Sequence, residues 1–260
     1  MSKKKSETDI INHKNKTITI LSDYMDSLID TDPKKVDLLS YWLHTYTNYL
    51  KFEDMFDPKK NKRYERGDIV QVNLGFNVGS EHGGLHYAVV LDNNNNHSSP
   101  VLTIIPLSSS NGANIHVTEV FLGDDIYQKL KSKISGIKQA YTEQIDEIKS
   151  IEQMIQETIL SIEKNKIDND EGINTLRSKL ELLKIKKNNA EKKKSEADKI
   201  AKEINKMNRG SVALVNQITT ISKIRIVDPI HNQGVLNGIK LSPNNLDNIN
   251  KKIIELFLRN

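Results

Sequence analysis

Between two sets of short β-rich runs lies a stretch of roughly eighty residues in which apolar side chains recur every three or four positions. That change of period constrains the chain more than any other feature. Ile134, Ile137, Tyr141, Ile148, Ile155 and Ile162 trace one stripe, and Ile173, Leu176, Leu180, Leu183, Ala190, Ala197, Ala201 and Ile204 trace another after a break. Two facing heptad helices are predicted. The break from Asn165 to Gly172 is short and rich in Asn, Asp and Gly, so the helices are expected to run antiparallel. At 1.5 Å per residue each would project roughly 50 Å as a stalk. Lys187 and Lys194 fall at seam positions of this reading, where a lysine snorkels, fixes register or marks a partner surface.

On either side of this stretch the period is two. Asp68–Leu74, Leu85–Leu91, Val101–Leu107 and Ile115–Phe121 are β-rich runs parted by Gly, Asn and Ser clusters, and the signal returns at Ser211–Ile221 and Lys223–Val227. One small antiparallel barrel with the hairpin inserted in a loop is the simplest arrangement. Upstream, Ile18, Ile20, Leu21, Met25, Leu28 and Ile29 keep helical spacing, as do Val36, Leu39, Trp42, Leu43, Tyr46 and Leu50. Two helices should therefore precede the barrel, the second opened by Asp32 and Pro33. Trp42 sits on its apolar stripe as a packing anchor or a partner-binding aromatic. A last helix should open at Ser242–Pro243 and carry Leu246, Ile249, Ile253, Ile254 and Phe257. The expected divisions are an N-terminal helical extension (1–58), a first barrel part (59–123), the hairpin (124–208), and a second barrel part with the C-terminal helix (209–260).

Composition agrees with an elongated α+β chain, at 28% charged and 5% aromatic residues. With no cysteine, disulfides, cysteine-ligated zinc and a thiol nucleophile are excluded. A net charge of +4 permits a polyanionic partner without announcing one. The basic start, Met1–Lys5, reads as a short solvated terminus; it leads into no apolar segment, and no later run is long enough to span a bilayer. A cytoplasmic protein without a membrane partner is expected.

The segments Arg66–Gly75 (RGDIVQVNLG), Val78–Leu91 (VGSEHGGLHYAVVL), Ser99–Ser109 (SPVLTIIPLSS) and, beyond the helical stretch, Ser211–Arg225 (SVALVNQITTISKIR) resemble, in order, four blocks of the MazF/PemK toxins. The resemblance implies an SH3-like barrel of the MazF/PemK/CcdB kind. It also implies a homodimeric endoribonuclease that cuts single-stranded RNA at short sequences without metal or cofactor, leaving 2′,3′-cyclic phosphate and 5′-hydroxyl ends. A cognate antitoxin protein is the implied partner. The N-terminal helices and the hairpin are outside the resemblance.

In that family the chemistry is assigned to an arginine on the second strand and a threonine or serine ending the third. The matching positions here are His86 and Ser108, with Tyr87 where the family has proline and therefore expected beside the substrate. Transphosphorylation needs a base for the 2′-hydroxyl, an acid for the 5′-oxygen and positive charge for the phosphorane. Guanidinium is a good charge and a poor base, whereas imidazole can serve as either acid or base near neutrality. Ser108 is expected to donate to a phosphate oxygen, aided by Ser109. Glu81 and His82 belong to the loop that covers the site in the family; Glu81 orients His86 or holds the Gly79–Gly84 turn. His82 and His116 are alternatives for a second proton-transfer group. In the return strand Gln217 and Thr220 match the family, while Asn216 and Thr219 replace its Glu and Arg, so Gln217, Thr219 and Thr220 are expected to touch substrate. Two other functions remain open on sequence: a non-catalytic SH3-like binding module whose arm docks a partner, and a CcdB-like gyrase inhibitor.

Overall fold

The computed structural model describes residues 5–164, 167–207 and 209–258, so the basic start up to Lys4 and the Asn165–Lys166 part of the predicted connection lie outside the described residues. The chain divides into two compact units: residues 1–57 with 73–85, and residues 58–72 with 86–260.

The first unit is built on helices α1 (Glu7–Leu28) and α2 (Pro33–Phe52). Ser6 accepts from the Asp9 N–H while the Asp9 carboxylate accepts from the Ser6 N–H, a reciprocal cap that satisfies two orphan donors and starts α1 well before its apolar stripe. Asp32 caps α2 by accepting from Lys35 N–H at 3.1 Å, and Pro33 occupies the first turn, where its missing N–H costs nothing. Neither helix contains a buried residue. The loop 73–85 completes this unit. It is closed by backbone bonds from Gly84 N–H to Gly75 carbonyl (2.7 Å) and Leu74 N–H to Gly84 carbonyl (2.8 Å).

The second unit is a seven-stranded antiparallel sheet with a helical hairpin. Its strands are β1 (Ile69–Asn73), β2 (Leu85–Val90), β3 (Val101–Ser109), β4 (Glu119–Gly123), β5 (Ser211–Leu214), β6 (Thr219–Ser222) and β7 (Ile226–Asp228). The order is β4-β5-β3-β2-β1-β7, with β6 also on β3, and among the described residues this path does not close on itself. The nine-residue β3 organises the sheet. One edge pairs with β5 at Leu107–Ser109 and with β6 at Val101–Ile104, so the predicted run Ser211–Ile221 is one strand interrupted by a 3-10 turn at Val215–Gln217. Ile115–Thr118, expected as strand, forms a turn instead: His116 Nδ1 lies 2.9 Å from Thr118 Oγ1, and Glu119 N–H donates to the His116 carbonyl.

Helices α3 (Asp125–Glu163) and α4 (Asn169–Lys206) form the predicted antiparallel hairpin. Ile148, Ile151, Ala190, Ala197 and Ile200 are buried along it. Its register departs from the expectation. Ile173 and Leu180 are exposed and Lys187 pairs outward with Glu152 at 2.9 Å, whereas the seam takes Gly172 and Lys179. A Cβ on Gly172 would meet Ile162 Cδ1 at 2.6 Å, and Lys179 Nζ donates to Thr158 Oγ1 (2.7 Å) and to the Met154 carbonyl (3.1 Å).

The hairpin base is part of the sheet's core. Ile126, Leu130 and Ile200 join Ile69, Val89, Ile105, Leu107, Ala213 and Ile249 in one apolar cluster. Lys133 Nζ donates to the carbonyls of Val235 (2.9 Å) and Asn237 (3.0 Å), and burial pushes its pKa below the usual lysine range. Helix α5 (Pro243–Phe257) contributes Ile249 to the same cluster; its opening at Ser242–Pro243 is as predicted.

Candidate active site

Strands β2 and β3 pair Ala88 with Pro106, Val89 with Ile105 and Val90 with Ile104. Continuing that register two residues towards the start of β2 sets His86 across from Ser108. Opposed residues of an antiparallel pair share a face, and alternate residues change face. Val89, Leu91, Ile105 and Leu107 belong to the apolar core cluster, so His86 and Ser108 fall on the face that turns away from it. Thr219 pairs with Ile104 and so has the parity of Ser108. Both His86 and Ser108 are half-buried.

The other candidates on the sheet have the opposite parity. Tyr87 packs partly against the core, and its hydroxyl donates to the Glu203 carboxylate of α4. Burial, then the bond to Glu203, pushes the phenol pKa above its usual value. Expected at the substrate, this side chain ties the hairpin base to the sheet. Thr220 pairs with Thr103, their hydroxyl oxygens 3.3 Å apart. Ser109 pairs with Ser211 at the exposed end of β3. Gln217 is half-buried in the 3-10 turn between β5 and β6. By parity His86, Ser108 and Thr219 share one face of the sheet, with Thr219 opposite Ile104, four residues along β3 from Ser108, while Tyr87, Ser109 and Thr220 fall on the other face.

Glu81 and His82 belong to the first unit's loop. The Glu81 carboxylate accepts from Val78 N–H at 3.3 Å, and the Glu81 N–H donates to the Val78 carbonyl at 3.2 Å. This is the turn-holding employment considered above. The His82 carbonyl accepts from Asn77 Nδ2 at 2.8 Å. His116 is exposed in the turn before β4. Among the described residues, no group of three or more His, Asp or Glu side chains is placed to hold a metal ion.

Residues 65–171 match the family of PemK-like, MazF-like toxins of type II toxin-antitoxin systems. Over this segment the chain is similar to those toxins. No curated protein matches the chain. The PemK/MazF-like segment contains β1 to β4 and α3, and therefore both His86 and Ser108; the return strands β5 to β7 lie beyond it.

Its opening Arg-Gly-Asp has a structural role. Arg66 donates to the Leu91 carbonyl and to Asn250 Oδ1 of α5. Asp68 is buried, and accepts from Glu65 N–H at 3.1 Å and from Lys62 Nζ at 3.0 Å. Gly67 has φ +84, and a Cβ there would lie 2.9 Å from Leu246 Cδ1 of α5. One polar residue the sequence did not flag is Lys223. Its side chain is 1% exposed, its Nζ donates to the Asn96 carbonyl at 3.2 Å, and burial lowers its pKa. The signal available was a lone lysine between Ile221 and Ile226, which composition alone does not separate from a surface lysine.

Proposed function

We propose that the chain is the toxin of a type II pair and a metal-independent endoribonuclease for single-stranded RNA. The observation that supports this most is the antiparallel β2–β3 register within the PemK/MazF-like segment: continued by two residues it pairs His86 with Ser108, at the half-buried end of a face that farther along buries Ala88, Val90 and Ile104. In this mechanism the neutral His86 imidazole takes the 2′-hydroxyl proton as O2′ forms its bond to phosphorus. Ser108 donates to a non-bridging oxygen as charge develops there. The bond from phosphorus to O5′ breaks, and the 5′-oxygen takes its proton from the imidazolium or from water. A 2′,3′-cyclic phosphate and a 5′-hydroxyl result.

The pairing of one edge of β3 with both β5 and β6 we take as the SH3-like barrel of the family in open form. A homodimer and an antitoxin whose tail occupies the RNA face complete this reading, as do the divisions 1–58, 59–123, 124–208 and 209–260. The test is incubation of the purified full chain with a short single-stranded RNA in chelator, followed by end analysis. Cyclic-phosphate ends are expected from the wild type, with loss of at least a hundredfold in rate in His86→Ala and a thermal midpoint within about 1 °C. No cleavage by the wild type, or cleavage undiminished in His86→Ala, overturns it. His86→Arg is expected to keep part of the activity by restoring positive charge for the phosphorane while losing the proton-transfer group.

A further inference from the structure

Within the first unit, α2 and the loop 73–85 enclose a groove of ≈ 410 Å³. Its walls are Tyr41 and Trp42 of α2 and Phe76 of the loop, and its polar positions are Asn73, Asn77 and Glu81. The α2 wall lies outside the segment similar to the toxin family, which begins at residue 65. We propose that this groove binds an unpaired nucleobase of the RNA substrate; the proposal rests on the ribonuclease reading above and extends it to residues of the N-terminal extension.

Three observations favour a base over another occupant. Tyr41 lines the groove yet is 69% exposed, so an aromatic face is presented to solvent beside Trp42 rather than spent on the unit's own packing. Trp42 is itself fixed by the rings of Tyr46 (centroids 5.6 Å) and Tyr49 (6.3 Å), which gives a rigid stacking platform at small entropic cost.

The polar positions suit the edge of a base. The loop uses the carbonyl oxygen of Asn73 to accept from Gly75 N–H (3.0 Å) and the amide nitrogen of Asn77 to donate to the His82 carbonyl (2.8 Å). The other end of the Asn73 amide is a donor and that of the Asn77 amide an acceptor, the pair of functions a Watson–Crick edge requires. A third observation is scale: the volume suits one nucleoside or small ligand and is too small for a helix or strand of a folded partner.

Trp42 is the sole tryptophan, so its fluorescence reports on this groove alone. The probe is a short single-stranded RNA added to full-length His86→Ala protein, with the same sequence as a duplex and an acidic peptide as comparison arms. Saturable quenching by single-stranded RNA is expected, weak or absent with the duplex and the peptide. Tyr41→Ala should raise the apparent Kd about fivefold to a hundredfold, and Tyr41→Phe should restore it. RNA binding seen by anisotropy without a change in Trp42 emission overturns the proposal, as does equal affinity in Tyr41→Ala. Quenching by the peptide alone would make the groove a protein-docking site and overturns it too. Wild-type cleavage scored separately keeps the two readings apart. Cleavage with silent Trp42 removes the groove and leaves the nuclease; quenching without cleavage removes the nuclease and leaves a nucleotide-binding groove.

Discussion

The two helix pairs of this chain carry similar amphipathic stripes and use them differently. Helices α3 and α4 bury Ile148, Ile151, Ala190, Ala197 and Ile200, whereas α1 and α2 bury no residue and leave Ile10, Ile18, Ile20 and Tyr41 exposed. Periodicity predicts which face of a helix is apolar, but not whether anything covers it. In the hairpin, alanines at the seam let the backbones approach over nearly forty residues, and the base is absorbed into the sheet's core. The stripe of α2 is aromatic, with Trp42 against both Tyr46 and Tyr49. Such side chains give a helix a surface for a ligand more readily than a close-packed seam.

The largest effect that tests this contrast is truncation of Ile200, which is fully buried where α4 meets the sheet. Ile200→Ala should cost about 2–5 kcal/mol in chemical denaturation, because the removed methyl groups leave a cavity that close packing cannot fill. The matched change on α1, Ile18→Ala at 60% exposure, should stay within about 0.5 kcal/mol. Equal losses would mean that α1 is covered in solution and that the contrast between the pairs is false.

A smaller loss is expected from Tyr87→Phe, which deletes only the hydroxyl donated to Glu203. About 0.5–1.5 kcal/mol is the usual worth of such a bond, towards the upper end because the acceptor is a carboxylate. If Tyr87 instead contacts substrate, the variant would lose cleavage rate while its denaturation midpoint stays fixed. Those two readouts separate the structural role from the one expected on sequence.

How far the sequence announced these features depends on whether a residue's partner was local. The cap at Asp32, the start of α5 at Ser242–Pro243 and the turn from β structure into the hairpin were legible because each is encoded within a few residues. The Ser6–Asp9 cap is equally local, and it starts α1 well ahead of the Ile18–Ile29 stripe that periodicity marks. The seam register was hidden by its polar members. Gly172 and Lys179 occupy inward positions for tip clearance and for a bond to Thr158, while the apolar Ile173 and Leu180 beside them lie outside. In the candidate site, the strands that carry His86 and Ser108 are consecutive in the sequence and adjacent in the sheet, as strand order suggests. The engagement of Tyr87 by Glu203 spans 116 residues and no local pattern encodes it.

Acid titration sharpens the same contrast at the hairpin base. Burial acts to raise the pKa of Asp125, but the N–H of Ser242, Lys129 and Asn245 donate to its carboxylate and hold it below the ordinary 3.8. A carboxylate with a depressed folded pKa contributes stability that is present above its unfolded value and lost as pH falls through the folded one. Wild-type thermal midpoints should therefore drop below about pH 4 more steeply than those of Asp125→Asn. Parallel curves for the two proteins would show that this carboxylate contributes nothing at the junction of α3 and α5.

The smallest effect belongs to the outward ion pair of the hairpin, Lys187 with Glu152 at 2.9 Å. Their side chains are 53% and 45% exposed, so the attraction acts through solvent and is offset by the entropy of holding two long side chains together. Lys187→Ala should change stability by no more than about 0.5 kcal/mol, and raising salt to about 0.5 M should erase even that difference, since the Debye length there is only a few ångströms. Lys179 is the internal control. It lies on the seam, half-buried, with Nζ bonded to Thr158 and the Met154 carbonyl, so Lys179→Ala leaves the buried Thr158 hydroxyl without that bond and should cost about 1–2 kcal/mol at any salt concentration. Two lysines eight residues apart on one helix would then differ in both size and salt response. If Lys187→Ala proved the more damaging, the heptad register predicted from Ile173 and Leu180 would be the one adopted in solution.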